Sequence, residues 1–121
     1  MLVLDANYIL RYLLNDNEKM AKQAKETILN EHCLILNEVI AEVVYVLSGV
    51  YKTPKDVISP TLSDLIMLEN FTMYGSKYLM VNALLIYQNK NLDFVDCYLC
   101  ALSEKHQIKS FDKKLLKCIQ G

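Results

Sequence analysis

The chain has 121 residues, of which 53% are hydrophobic and 22% are charged, with three glycines and two prolines. This length and composition predict one globular domain over residues 1–121 and exclude a disordered or fibrous protein. Thirteen cationic and 14 acidic residues give a formal net charge of −1, which excludes long-range attraction of nucleic acid by the molecule as a whole. Any nucleic-acid binding must therefore come from local basic patches.

No segment has the features of a targeting sequence or a membrane anchor. Residues 1–5 contain no basic residue and no cleavage site of small residues. The most apolar run, residues 43–50, is too short to span a bilayer. We therefore expect a cytoplasmic protein that does not associate with a membrane.

The chain has four cysteines, Cys33, Cys97, Cys100 and Cys118. Cys97 and Cys100 have the spacing of a redox pair, but they lie inside a helical pattern, whereas such pairs normally open a helix after a strand. The only histidines, His32 and His106, lack the spacing of zinc ligands. The prediction is four free thiols that are buried or half-buried.

The chain opens with a predicted strand and two predicted helices. Residues 1–4 form a short apolar run that ends at Asp5, as expected of a buried parallel strand. The apolar spacing over residues 7–14 predicts a first helix. A second helix is expected to follow Asp16 or Asn17, either of which can act as its N-cap.

The middle of the chain is predicted as a second strand followed by helices. Residues 33–36 form the strand candidate, and Asn37 is expected to cap a longer helix that ends near Gly49. Pro54 and Pro60 should break the next stretch into one or two shorter helices, because proline removes a backbone donor.

The last third of the chain is predicted as two helices, a strand and a terminal helix. The helices cover residues 77–87 and 94–105, the strand covers residues 108–112, and the terminal helix covers residues 113–119. Strands that alternate with helices predict an α/β fold. We expect a short parallel sheet of about four strands, flanked by helices on both faces.

Acidic residues recur where these predicted elements meet. Asp5 and Asp112 follow the first and last predicted strands, and the carboxyl ends of parallel strands border the ligand crevice of α/β folds. Glu42 lies in the apolar pattern of the third helix, while Asp93 and Asp96 share one face of a later helix. Asp93 and Asp112 could simply cap helices. Asp5 and Glu42 interrupt apolar runs, and no nearby cation compensates their negative charge.

Convergence of several carboxylates would favour a bound cation. Two unit charges ~4 Å apart repel each other by about 4 kcal/mol at an effective dielectric constant near 20. Ligands that are all oxygen atoms favour Mg²⁺ or Mn²⁺ over zinc. Such a site can activate water and neutralise a phosphodiester during hydrolysis.

Four segments resemble, in chain order, the acidic motifs of the PIN domain family. They are LVLDANYIL at residues 2–10, IAEVVYVL at 40–47, DFVD at 93–96 and SFDKK at 110–114. The resemblance covers the chain from end to end. The spacing of the motifs is similar to that in the toxins of VapBC-type toxin–antitoxin pairs.

The resemblance implies an activity and a set of site residues. It implies a catalytic acidic quartet of Asp5, Glu42, Asp96 and Asp112, with Mg²⁺ or Mn²⁺ held by Asp5, Asp96, Asp112 and the additional acid Asp93. The implied activity is metal-dependent cleavage of RNA. The implied partners are the RNA substrate and a cognate antitoxin protein. A homodimer is also expected, because twofold dimers are the commonest soluble oligomers.

Other positions are predicted to support the site or the substrate. The resemblance assigns Asn7 and Ser110 as polar groups behind the metal ligands, but Ala6 stands where the family commonly has Thr or Ser, so one hydroxyl is missing. Arg11, the only arginine, and Lys113 are expected to contact RNA phosphates. Arg11 could alternatively pair with a nearby acid.

Two other functions remain open, and two further classes of protein do not fit the sequence. A housekeeping RNA-processing nuclease of the same fold, and a non-catalytic module that binds RNA or protein, both fit the pattern. A phosphatase of the haloacid dehalogenase type would need a second acid where Asn7 stands. A receiver domain would need adjacent acids after the first strand, which the chain lacks.

Overall fold

A computed structural model describes every residue from Met1 to Gly121. The elements are β1 (Leu2–Val3), α1 (Ala6–Leu14), α2 (Glu18–Asn30), β2 (Cys33–Ile35), α3 (Asn37–Gly49), α4 (Lys55–Ile66), β3 (Phe71–Met73), α5 (Lys77–Asn89), α6 (Phe94–Leu102) and α7 (Lys113–Gln120). None of the helices has the length and apolar character needed to cross a membrane.

The three strands form one parallel sheet in the order β1-β2-β3. Leu2 lies opposite Cys33, and Leu34 lies opposite Val3 on one side and Thr72 on the other. Helices separate consecutive strands, as parallel pairing requires. The predicted α/β fold with a short parallel sheet is confirmed, although the sheet has three strands where about four were predicted.

The strand predicted over residues 108–112 does not form. Residues 107–111 make no backbone–backbone hydrogen bond, and the side chain of Phe111 is fully exposed. The hydroxyl of Ser110 accepts a hydrogen bond from the backbone N–H of Asp112 at 2.9 Å. Such a local bond gives the backbone an alternative to strand pairing, which explains why the pattern misled the prediction.

The third strand forms instead at β3, in a region where only helices were predicted. Phe71 and Met73 are buried there while Thr72 between them is exposed, which is the alternation expected of a half-buried strand. Three residues are too few for this alternation to be recognised in the sequence.

Of the one or two shorter helices predicted after α3, one forms, and Pro60 does not break it. Pro54 stands at the N-cap position of α4, and Pro60 lies inside this single 12-residue helix. Tertiary packing sustains the helix despite the lost backbone bond, because Ile58 and Leu62 are fully buried. The hydroxyl of Ser59 also donates a hydrogen bond to the carbonyl of Leu84 on α5 at 2.8 Å.

The capping prediction is confirmed for Asn17 and is wrong for Asn37. Asn17 is the N-cap of α2, and its side chain accepts a hydrogen bond from the N–H of Met20 at 3.0 Å, as predicted. Asn37 is the first residue of α3 rather than its cap. Its Nδ2 donates to the hydroxyl of Tyr98 at 2.9 Å, so it joins α3 to α6.

The prediction of four free thiols is wrong for two of the cysteines. Cys100 and Cys118 form a disulfide between α6 and α7, with their Cα atoms 6.1 Å apart. Cys33 and Cys97 are free and buried, as predicted. The bonded pair has a sequence separation of 18 residues and becomes adjacent only through the packing of α6 against α7, so no local pattern could reveal it.

Candidate functional site

Three of the predicted acids line a single cleft of about 480 Å³, which we call the acidic cleft. These acids are Asp93, Asp96 and Asp112. The other lining residues are Ser48, Lys55, Tyr87, Asn91, Leu92, Lys113 and Lys114. The cleft therefore lies where α3 and α5 end and where α4, α6 and α7 begin.

The three acids are positioned by the first turns of two helices. Asp93 is the N-cap residue of α6 but makes no capping hydrogen bond with its side chain, and Asp96 lies in the first turn of the same helix. Asp112 is the N-cap of α7, where one carboxylate oxygen accepts a hydrogen bond from the N–H of Leu115 at 2.9 Å. The carboxylate of Asp93 and the second oxygen of Asp112 are thus not used in helix capping. The N-termini of α6 and α7 favour the negative charge of these aspartates.

The acids of the cleft influence one another electrostatically. Burial raises the pKa of Asp96, and the negative charges of Asp112 and then Asp93 raise it further. Asp96 is half-buried, so water only partly screens this repulsion. The side chain is therefore held in an environment that disfavours its own charge.

Asp5 and Glu42 lie outside the acidic cleft. Asp5 is the N-cap of α1, where its carboxylate accepts a hydrogen bond from the N–H of Tyr8 at 2.8 Å, and it lines a separate shallow cleft beside Thr27. Glu42 is exposed on α3 and lines an apolar groove that also includes Val95 of α6. The structure thus brings together two members of the predicted quartet with Asp93, and the roles of Asp5 and Glu42 stay predictions.

The donor atoms of the acidic cleft fit a hard divalent cation. Its carboxylates are accompanied by the polar side chains of Ser48 and Asn91 and by no histidine or cysteine, which is the chemistry of Mg²⁺ or Mn²⁺ sites. After burial, the charges of Asp112 and Asp93 are the causes that raise the pKa of Asp96, and a bound cation would relieve this repulsion. The three aspartates share the cleft but are not already assembled as a metal-binding group, since no three His, Cys, Asp or Glu side chains form one.

The remaining predicted residues are divided between the cleft and other surfaces. Ser110 contacts the backbone of Asp112 through its hydroxyl, and Lys113 lines the acidic cleft. Asn7 is exposed on α1 and does not line this cleft. Arg11 pairs with Asp16, since its Nη1 lies 2.8 Å from both carboxylate oxygens, which is the alternative that the sequence left open.

Lys55 is a residue of the site that the sequence did not reveal. Its ammonium group donates hydrogen bonds to the carbonyls of Lys90 at 2.8 Å and Leu92 at 3.4 Å. It also lies 4.3 Å from the centre of the Tyr87 ring. These contacts fix the loop that leads into Asp93. They join residues far apart in the chain, so no local motif could have indicated them.

Comparisons with known proteins give one match. The sequence profile of the PIN domain matches residues 2–118. The comparisons with curated proteins and with solved structures gave no match. The matched range contains all residues that line the acidic cleft.

Proposed function

Because this chain belongs to the PIN domain family, whose members are usually nucleases, we propose that it is a metal-dependent endoribonuclease. The observation that carries the proposal is the convergence of Asp93, Asp96 and Asp112 in one cleft. Phosphodiester hydrolysis needs positioned negative ligands for a cation and positive groups for the phosphate. The acidic cleft offers both, because Lys113 and Lys114 line it together with the aspartates.

Each residue of the cleft has a role in this proposal. Asp93, Asp96 and Asp112 would hold Mg²⁺ or Mn²⁺, and the bound ion supplies activation of water and neutralisation of the phosphodiester charge. Lys113 attracts the phosphate of the substrate, and Lys55 keeps the loop before Asp93 in place through its two carbonyl contacts. Hydrolysis by water then leaves a 5′-phosphate and a 3′-hydroxyl on the products.

Substitution of the carboxylates tests this proposal. Asp96→Asn and Asp112→Asn should each reduce Mg²⁺- or Mn²⁺-dependent RNA cleavage by more than about 100-fold, since changes merely behind metal ligands already cost 10- to 100-fold. Asparagine retains the capping ability of position 112. Asp64→Asn, an exposed position on α4 outside the cleft, is the matched control and should retain activity. A 2′,3′-cyclic phosphate product would contradict hydrolysis by water.

The same assay tests the two acids outside the cleft. The family resemblance implies that Asp5 and Glu42 act with Asp96 and Asp112, and we propose that they do. Asp5→Asn and Glu42→Gln should therefore lower cleavage as Asp96→Asn does. Full activity in both variants would limit the site to the three aspartates of the acidic cleft.

We further propose that the chain is the toxin of a type II toxin–antitoxin pair that acts in the cytoplasm. The motif spacing supports this, and so does the apolar groove of about 550 Å³ beside α3 and α6. Tyr45 and Val95 provide its apolar surface, and Glu38 and Glu42 add negative charge, which together suit an apolar antitoxin segment with a basic side chain. A housekeeping nuclease of the same fold is the alternative.

Co-expression distinguishes the two roles. A toxin should inhibit growth when expressed alone and should co-purify with the product of an adjacent small gene, which restores growth. Glu38→Lys together with Glu42→Lys should weaken that complex. A chain that is harmless when over-expressed and purifies alone would favour the housekeeping nuclease.

We also propose that the chain forms a homodimer. Half of its eight tyrosines are exposed, as expected for residues available to an interface: Tyr45, Tyr51, Tyr74 and Tyr78. Twofold dimers are the commonest soluble oligomers. Sedimentation equilibrium of the purified chain should give twice its mass of 13.9 kDa, and a monomer at all concentrations would refute the proposal.

A further inference from the structure

We propose that an RNA strand leaves the acidic cleft along a row of four lysines, which we call the lysine track. Its members are Lys113, Lys114 and Lys117 on α7 and Lys90 at the end of α5. The proposal rests on the proposed ribonuclease function and assigns a surface to the substrate's phosphate backbone. It concerns residues that none of the acidic motifs includes, apart from Lys113 and Lys114.

The lysine track continues directly from the acidic cleft. A second cleft of about 330 Å³ is lined by Lys90, Lys114 and Lys117. Asn91, Leu92 and Lys114 line both clefts, so the two share one wall. A strand whose phosphate lies in the acidic cleft can therefore reach Lys114 on the shared wall and then Lys117 or Lys90.

The helix α7 presents its lysines on the surface. Leu115 is buried and fixes the helix against the protein, while Lys113, Lys114 and Lys117 are exposed. Positions 113 and 117, and positions 114 and 117, are neighbours on a helix, with their Cβ atoms about 5–6 Å apart. The three ammonium groups can thus contact consecutive phosphates of one strand.

The positive charge of the lysine track is not neutralised by the protein. The chain contains a single salt bridge, between Arg11 and Asp16, so no lysine of the track is paired with a carboxylate. Residues 90–121 contain six lysines and four acids, and three of those acids line the acidic cleft. In a chain of net charge −1, this is a local excess of positive charge beside the candidate site.

Phe111, which immediately precedes the cleft residue Asp112 in the chain, favours a single-stranded ligand. Its ring is fully exposed, directly before Asp112 and the start of α7. An exposed aromatic ring beside a basic groove is the usual platform for single-stranded nucleic acid, because an unpaired base can stack on it. A duplex keeps its bases stacked inside and could use only the lysines.

The salt dependence of RNA binding tests the lysine track. The background is Asp96→Asn, which is expected to leave the RNA intact. The track variant adds Lys90→Gln, Lys114→Gln and Lys117→Gln. Binding of labelled single-stranded RNA is measured by fluorescence anisotropy at several salt concentrations. The slope of log affinity against log salt should fall in magnitude by about 0.7 per lysine, or about 2 in all. Lys113 stays unchanged because it has the proposed role of attracting the phosphate at the cleavage site.

The matched control replaces three exposed lysines of α2, Lys19, Lys22 and Lys25, with glutamine in the same background. This control changes the net charge equally and should leave the slope unchanged. An unaltered slope in the track variant, or an equal decrease in the control, would overturn the proposal. If wild-type protein cleaves RNA but the track variant has an unchanged salt slope, only the lysine track is refuted. If wild-type protein does not cleave RNA, the proposed ribonuclease function is refuted.

Phe111→Ala tests the stacking contact separately. It should lower affinity for single-stranded RNA roughly tenfold without changing the salt slope, and it should not affect binding to duplex RNA. Tyr74→Ala, at another highly exposed ring, is the control and should have no effect. Equal loss for single-stranded and duplex RNA, or no loss at all, would overturn the assignment of a single strand.

Discussion

The helices α6 and α7 bring aspartates to the same cleft, but they are held in the molecule in different ways. Phe94, Cys97 and Ala101 of α6 belong to the main hydrophobic core, and Tyr98 accepts a hydrogen bond from Asn37. In α7 only Leu115 is buried. The segment before α7 makes no backbone–backbone hydrogen bonds, so this helix is held by the packing of Leu115 and by the disulfide to α6.

This difference divides the site into a fixed part and a tethered part. Asp93 and Asp96 are carried by the fixed helix, whereas Asp112 and three lysines of the lysine track are carried by the tethered one. Disulfides are rare in reducing compartments. In a cytoplasm the bond between Cys100 and Cys118 would therefore be exposed to reduction, and the tethered part of the site would depend on it.

The largest expected effect comes from disturbing the fixed helix. Phe94 is buried and its ring packs edge-on against Tyr87 with their centres 5.8 Å apart. Phe94→Ala should reduce the free energy of unfolding by about 3–5 kcal/mol. Urea denaturation followed by circular dichroism measures this. A loss below about 1 kcal/mol would mean that α6 is not anchored by the core.

Removal of the disulfide should have the next largest effect. Reduction of wild-type protein, or Cys100→Ala combined with Cys118→Ala, should lower the free energy of unfolding by about 3 kcal/mol, the scale for a loop of this length. Cleavage should fall as well, because Asp112 and the lysines lose their fixed position. The double variant is its own control, since a dithiol should not change it further. Equal stability and activity in reduced and oxidised wild type would contradict the tether.

The smallest expected effect concerns the charge of Asp96. Because its pKa in the folded protein is raised, the side chain stabilises the fold below the usual Asp pKa and loses this contribution as pH rises through the folded value. In excess chelator, Asp96→Asn should therefore be more stable than wild type at pH 7, by on the order of 0.5 kcal/mol. The difference should vanish below about pH 4. A variant that is less stable at pH 7 would show that Asp96 is favourably paired.

The sequence indicated three of the five candidate acids that share the cleft, but not the separate positions of Asp5 and Glu42 or the way the site closes. Asp93 and Asp96 could be placed together because helical spacing fixes which residues share a face. The role of Lys55 and the bond between Cys100 and Cys118 depend on helices that meet only in the folded chain. The segment at residues 108–112, with only Ile108 and Phe111 apolar, gave a false strand because a strand-like pattern does not supply a partner strand.

Every role proposed for the acidic cleft depends on a bound metal ion, and thermal unfolding measures this binding. Wild type and the control Asp64→Asn would be melted in chelator and in Mn²⁺ at a hundredfold excess over the dissociation constant, beside Asp96→Asn and Asp112→Asn. We expect Mn²⁺ to stabilise wild type and Asp64→Asn by about 2.7 kcal/mol, and Asp96→Asn and Asp112→Asn only slightly. No shift in wild type, or the same shift in all four proteins, would contradict a cation held by Asp93, Asp96 and Asp112.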